Sequence, residues 1–296
     1  MDYSSKLDRE ILAFIDDTLS FYPADLRADD WVAQRAVYDR MAAYFRAARP
    51  GDLVVCDRRI AGVPVRLYGD DGATAIVYAH GGGHVLGGLE SHDDICAEIA
   101  AATGIQVIAV DYRLAPEHPH PAGYEDLLAV VRDISGDRRI TLCGDSAGAT
   151  LMASLVGTWV SPALAGQVLI YPALGYAPEG GSYEVHANAP LLSRDDIRSY
   201  GSARGASFRD ATATPSAGDL SCLPPTFLYP AECDPLHDDC LRYRDQASAA
   251  GTEVLVETGE GLVHGWLRAR HHSARAARAF SRICARLGSL AEENAL

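Results

Sequence analysis

The chain has 296 residues, 48% of them apolar and 22% charged, which is ordinary globular composition and excludes a disordered, collagenous or disulfide-framework protein. Forty acidic side chains against 26 basic ones give a net charge of −14, and no Lys/Arg run interrupts it, so the field of the molecule repels nucleic acid and anionic membrane. The charge carries no further functional weight.

Residues 1–50 read as two amphipathic helices. Leu7, Ile11, Leu12 and Ile15 share one face, and Trp31, Ala36, Val37, Met41, Ala42, Tyr44 and Phe45 make another, ended by Pro50-Gly51. No secretory signal is visible in the first thirty residues. From Leu53 short β-rich runs, LVVC and VPVRLY, join around Ala61-Gly62 as a hairpin at a sheet edge. An alternation follows: strands near 75–79, 106–110, 140–143 and 167–171, with helices near 91–103, 122–134 and 147–158 between them. Strands alternating with helices imply parallel βαβ units.

After Pro172 the pattern breaks into a Gly/Pro-rich aromatic loop and a helix from about Ser193 to Arg204. Tyr171, Leu174, Tyr176, Tyr183 and Leu191 are candidate pocket walls there. The alternation resumes with strands near 226–230 and 253–256 and helices near 238–249 and 270–288. The charge-free stretch from Ser146 to Pro178 is broken by Gly157, Pro162, Gly166 and Pro172, so it reads as a buried helix and strand rather than a membrane span. Seven scattered cysteines show no metal-ligand spacing and read as reduced thiols, which suggests a cytoplasmic setting.

Gly144-Asp145-Ser146-Ala147-Gly148 lies between the strand Ile140–Cys143 and an apolar helix. A turn this tight needs glycines where a Cβ would clash, and it exposes the serine hydroxyl at the C-terminal edge of the sheet. Ser146 is thus the candidate nucleophile. His80-Gly81-Gly82-Gly83 follows the strand Ala75–Ala79, and consecutive glycines let backbone N–H groups converge on a developing oxyanion. Leu86 stands where a phosphate-binding G-x-G-x-x-G would need glycine. The N–H groups of Gly82, Gly83 and Ala147 are therefore assigned to an oxyanion hole.

A serine needs a base, and the base an orienting acid. His264, in the loop GEGLVHGW after the last expected strand, is the candidate base. His118 and His120 lie in a proline-rich loop and read as structural; His271 and His272 are expected to begin a surface helix. Asp234 follows the strand Thr226–Pro230 and is preferred over Glu232 as the acid, with Asp238 and Asp239 read as helix caps. A metal at His237, Asp238 and Asp239 is disfavoured because adjacent helical residues point apart. No cofactor is expected.

With HGGG, GDSAG, DPL and HGW in that order, the chain from about residue 53 onward resembles the hormone-sensitive-lipase-like branch of the α/β-hydrolase esterases. Asp111-Tyr112-Arg113-Leu114-Ala115-Pro116-Glu117 is similar to a family segment that supports the glycine loop, and Gly87 to Asp93 with GDSAGAT look like bacterial acetyl esterases. The resemblance implies a mostly parallel sheet with helices on both faces and a helical cap. Residues 1–50 and an insertion near 174–210 would form the cap, and 51–296 the catalytic domain. It also implies hydrolysis of a small short-chain ester by Ser146, His264 and Asp234, in a monomer or homodimer. His84 stands where an aromatic is more usual and Trp266 where phenylalanine is common, so both are expected at the substrate pocket. An amidase or peptidase with the same triad, and a non-catalytic ligand binder, are the alternatives.

Overall fold

A computed structural model describes residues 3–292; residues 1–2 and 293–296, the outer ends of the two expected segments, lie outside the described residues. Helices α1 (Arg9–Leu19) and α2 (Trp31–Phe45) begin at Asp8 and Asp30, whose carboxylates accept the N–H groups of Ile11 and Ala33 at 3.0 Å. The hairpin β1 (Val55–Ile60) and β2 (Val63–Tyr68) turns at Ala61-Gly62. Then come β3 (Thr74–Ala79), α3 (Asp93–Thr103), β4 (Gln106–Val110), α4 (Ala122–Ile134), β5 (Arg139–Asp145), α5 (Ala147–Val156) and β6 (Leu164–Ile170). The insertion carries α6 (Ser182–Val185) and α7 (Arg194–Arg204), the latter started by a capping box between Ser193 and Asp196. The chain closes with β7 (Thr226–Tyr229), β8 (Ala231–Cys233), α8 (His237–Ala249), β9 (Val254–Val256), β10 (Gly259–Val263) and α9 (Ala274–Glu292).

Eight strands form one sheet in the order β1-β2-β4-β3-β5-β6-β7-β9, antiparallel at the β1/β2 and β2/β4 pairs and parallel from there on. This is the α/β-hydrolase architecture expected, with the hairpin at one edge. β3, β5 and β6 are almost wholly buried because helices cover both faces, and such strands read as continuous apolar runs. One core layer gathers α1, α2, α3 and α9 through Ile11, Phe14, Met41, Ile99 and Ile283; the other gathers α4, α5 and α8 through Leu127, Val130, Leu155 and Tyr243.

Three expectations need correction. The strand Val254–Val256 is not the last: β8 and β10 form a separate two-stranded parallel sheet, pairing Val263 with Cys233. β8 is only three residues long and β10 carries Gly259 and Gly261, so neither shows an alternation to read. His271 and His272 do not begin the final helix. His271 ends a 3-10 turn over Trp266–His271, and the helix starts after Ser273, whose hydroxyl accepts from Ala276 N at 3.5 Å. Finally, Asp238 and Asp239 lie inside the first turn of α8 and reach across to the insertion rather than capping it.

Candidate active site

β5 lies between β3 and β6, and Ser146 leaves its C-terminal end. The residue has φ +50° and ψ −120°, a conformation that strains any residue bearing a Cβ. The turn is possible because its neighbours are small. A Cβ on Gly148 would overlap the Ala79 carbonyl, and one on Gly144 would come within 2.7 Å of the same oxygen.

Asp234 and His264 are set by the small sheet. β8 and β10 run parallel, in register at Cys233 and Val263, so the next residue on each emerges at the same end and the two side chains meet. His264 Nδ1 lies 2.7 Å from Asp234 Oδ2, and Nε2 lies 2.9 Å from Ser146 Oγ. An ionised carboxylate only accepts, so the Nδ1 proton points to Asp234 and Nε2 is left to accept from the serine. Asp234 is fully buried, and its other oxygen takes the Leu236 N–H at 2.9 Å. Glu232, the alternative acid, is turned away to Lys6 and Gly261 N.

Because β3 neighbours β5, with Ala79 opposite Gly144, the glycine loop after β3 falls beside Asp145. That carboxylate accepts from Tyr78 Oη at 2.8 Å and Gly81 N at 2.9 Å, with His92 Nε2 at 3.2 Å and Tyr171 Oη at 3.3 Å. Burial opposes its charge, but the His92 ring and the Tyr78 hydroxyl, with Arg268 beyond, hold it below the usual carboxylate range. His80 is pushed down to about 3 by burial, so it is neutral; it stacks on Tyr112 at 4.4 Å, and Tyr112 Oη donates to the His80 carbonyl at 2.7 Å. The loop is thus held from both sides. Gly82 and Gly83 N–H groups take no carbonyl among the described residues, and Ala147 N–H belongs to the first turn of α5, which leaves such donors open.

Two cavities meet at Ser146. One, of about 440 Å³, is bordered by Gly83, His84, Ala147, Tyr176, Tyr183, Leu192 and Arg204, most of them from the insertion. The other, of about 590 Å³, is bordered by His264, Asp145, Tyr171, Leu191 and Arg268 together with Phe14 and Tyr38 of the N-terminal helices. Trp266 is not brought to either. It is 1% exposed and packs edge-on behind Tyr171 at 6.1 Å, because the 3-10 turn folds it into the core; Leu174 is equally buried. His120 bonds Asp210 and Thr212, holding the insertion to the core. Asp145 and His92 were not singled out by sequence reasoning, since each works only through partners far away in the chain.

A family model described as alpha/beta hydrolase fold matches residues 76–268. Carboxylesterase NlhH of Mycobacterium tuberculosis is 38% identical over 227 residues, 69% of this chain and 71% of its own. An acetyl-hydrolase of Streptomyces hygroscopicus is 35% identical over 248 residues, covering 79% of this chain and 81% of that one. The crystal structure of an esterase from the bacterial hormone-sensitive lipase (HSL) family superposes with a TM-score of 0.85 at 26% identity, over 96% of this chain and 98% of the other. The chain therefore belongs to the α/β-hydrolase family, in its hormone-sensitive-lipase-like esterase branch. It is an ester-hydrolysing enzyme, and no described helix is long and apolar enough to cross a membrane.

Proposed function

We propose that the chain hydrolyses short-chain carboxylic esters through Ser146, His264 and Asp234. The observation that carries this is the unbroken hydrogen-bonded line from Asp234 through His264 to Ser146, at 2.7 and 2.9 Å. Ser146 Oγ attacks the ester carbonyl while its proton passes to His264 Nε2. The N–H groups of Gly82, Gly83 and Ala147 receive the oxyanion. Asp234 holds the ring in the required tautomer and stabilises it when protonated. His264 then gives the proton to the departing alkoxide, and water repeats the sequence on the acyl-enzyme.

The leaving oxygen must be within reach of His264 Nε2, and His264 borders only the larger cavity. The alcohol portion is thereby directed to the side of the N-terminal helices, and the acyl portion to the smaller cavity with His84 in its wall. Residues up to 50 and the insertion near 174–210 act as the cap over these spaces. The acetyl-hydrolase relative supports a short acyl chain. The seven free cysteines support a cytoplasmic setting.

The test is hydrolysis of p-nitrophenyl esters from acetate to palmitate, with Ser146→Ala alongside. Activity should peak at about two to four acyl carbons and fall by about 10⁴–10⁶ in the variant. Turnover retained in Ser146→Ala overturns the assignment, and a maximum at long chains overturns the substrate class.

A further inference from the structure

The smaller cavity is bordered by a buried charge that makes no ion pair among the described residues. Arg204, the last residue of α7, is 9% exposed and borders the cavity beside His84. Its Nη1 donates to the Ala213 carbonyl at 2.9 Å, its Nη2 has no partner, and it makes no ion pair among the described residues. The carboxylate nearby in the chain, Asp210, attracts the guanidinium from a distance but is hydrogen-bonded by His120 and Thr212 rather than by Arg204. Burial, with the Arg204 charge adding to it, holds the His84 ring neutral. Burial also pushes the guanidinium down to about 10, which leaves it protonated at neutral pH. A buried cation without a hydrogen-bonded counter-ion is costly, and an apolar side chain of similar volume would fill this wall without that cost.

We infer that Arg204 receives a carboxylate carried at the far end of the acyl group, so that the enzyme takes half-esters of dicarboxylic acids. This rests on the esterase reading above and on its direction for the acyl portion. The rest of that wall is largely apolar, which suits a methylene chain; Arg198 also borders it but is paired with Asp195, so the one cation left without an ion pair among the described residues suits a single terminal charge. A guanidinium offers a planar fork that matches a carboxylate. A void of about 10 Å³ bordered by Arg204 and His84 has room for about one water. Such a water would satisfy Nη2 without neutralising it.

The experiment compares monoethyl adipate with ethyl hexanoate, whose acyl chains are equal in length, by pH-stat. The native enzyme should favour the half-ester in kcat/KM by about tenfold or more, and Arg204→Gln should lower that ratio by about thirtyfold or more. Arg204→Lys should keep part of the preference. A native enzyme that prefers ethyl hexanoate overturns the proposal, as does an Arg204→Gln variant that loses both activities in equal measure, which is the mark of a structural role. Should Arg204→Gln fail to fold, the native ratio still decides. Binding reads the site without chemistry: adipate should raise the melting temperature of Ser146→Ala, and no shift at millimolar adipate means that Arg204 serves only a buried water. Loss of hydrolysis on every ester, with adipate still bound, would instead count against the catalytic assignment alone.

Discussion

Replacing Asp145 by asparagine tests how the residue before the proposed nucleophile holds the glycine loop. The carboxylate takes Tyr78 Oη at 2.8 Å, Gly81 N at 2.9 Å and His92 Nε2 at 3.2 Å on one oxygen, and Tyr171 Oη at 3.3 Å on the other. An asparagine can keep the first oxygen, and the Tyr171 hydroxyl can turn to accept from the amide, so shape survives and charge is lost. A hydrogen bond to a charged group contributes about 1.5–3 kcal/mol against about 0.5–1.5 for a neutral one, so three bonds weakened by about 1 kcal/mol each cost about 3 kcal/mol. At about 2 °C per kcal/mol for a chain of this size, the melting temperature should fall by about 6 °C. Gly81 adjoins the proposed oxyanion donors, and loss of one such donor costs about 10²–10³ in kcat; a loosened loop should cost about tenfold to a hundredfold. The assay is thermal melting with kcat on p-nitrophenyl acetate at pH 7. Because the folded-state carboxyl is held below its ordinary value, its contribution is complete above about pH 4 and fades as pH falls further; the variant should lack that acid-side slope. A variant that melts within about 1 °C of the native protein and keeps kcat within about twofold would refute the reasoning.

Asp234→Asn should leave the fold intact, since the amide oxygen can still take the Leu236 N–H, and should lower kcat by about 10⁴ by favouring the wrong tautomer of His264; circular dichroism with steady-state kinetics checks both. Asp239 is pushed up to about 7 by burial, against the Leu174 N–H and the Tyr183 hydroxyl that bond it. An acid whose folded value is raised stabilises least when ionised. The native protein should therefore lose up to about 4 kcal/mol between about pH 4 and pH 7, and Asp239→Asn should flatten that part of a urea-unfolding profile; equal slopes would disprove the assignment. Gly148→Ala drives a methyl into the Ala79 carbonyl and should cost about 3 kcal/mol or more, read as a lowered melting temperature even when activity per folded molecule survives.

The parallel core was legible because its strands are apolar runs bounded by turn residues, and β4 and α4 fall on the ranges expected for them. The elbow was legible for the same reason, its glycines being local demands of one tight turn. β8 and β10 were not. Three and five residues long, they exist only as partners of each other, some thirty residues apart, and no local pattern announces a parallel pair of that length. Their register is nevertheless what brings Asp234 to His264. Asp234 and His264 could be picked out as candidate acid and base from their positions after strands, while the reason they touch lay in a sheet that was not foreseen.

The same division explains Trp266, Asp145 and Arg204. The family resemblance placed Trp266 at the pocket, but the 3-10 turn folds it behind Tyr171. Asp145 sits inside a recognised motif, yet its partners Tyr78 and Gly81 stand 67 and 64 residues away, so its hold on the glycine loop is a property of strand order. Arg204 reads in the sequence as a basic residue in the last turn of a helix, where a cation beside the helix C-terminus needs no other explanation. Only burial separates that reading from a binding group. A solvated arginine there would be ordinary, whereas one that is 9% exposed, without an ion pair among the described residues and bordering the space beside Ser146, is the observation on which the proposed carboxylate site rests.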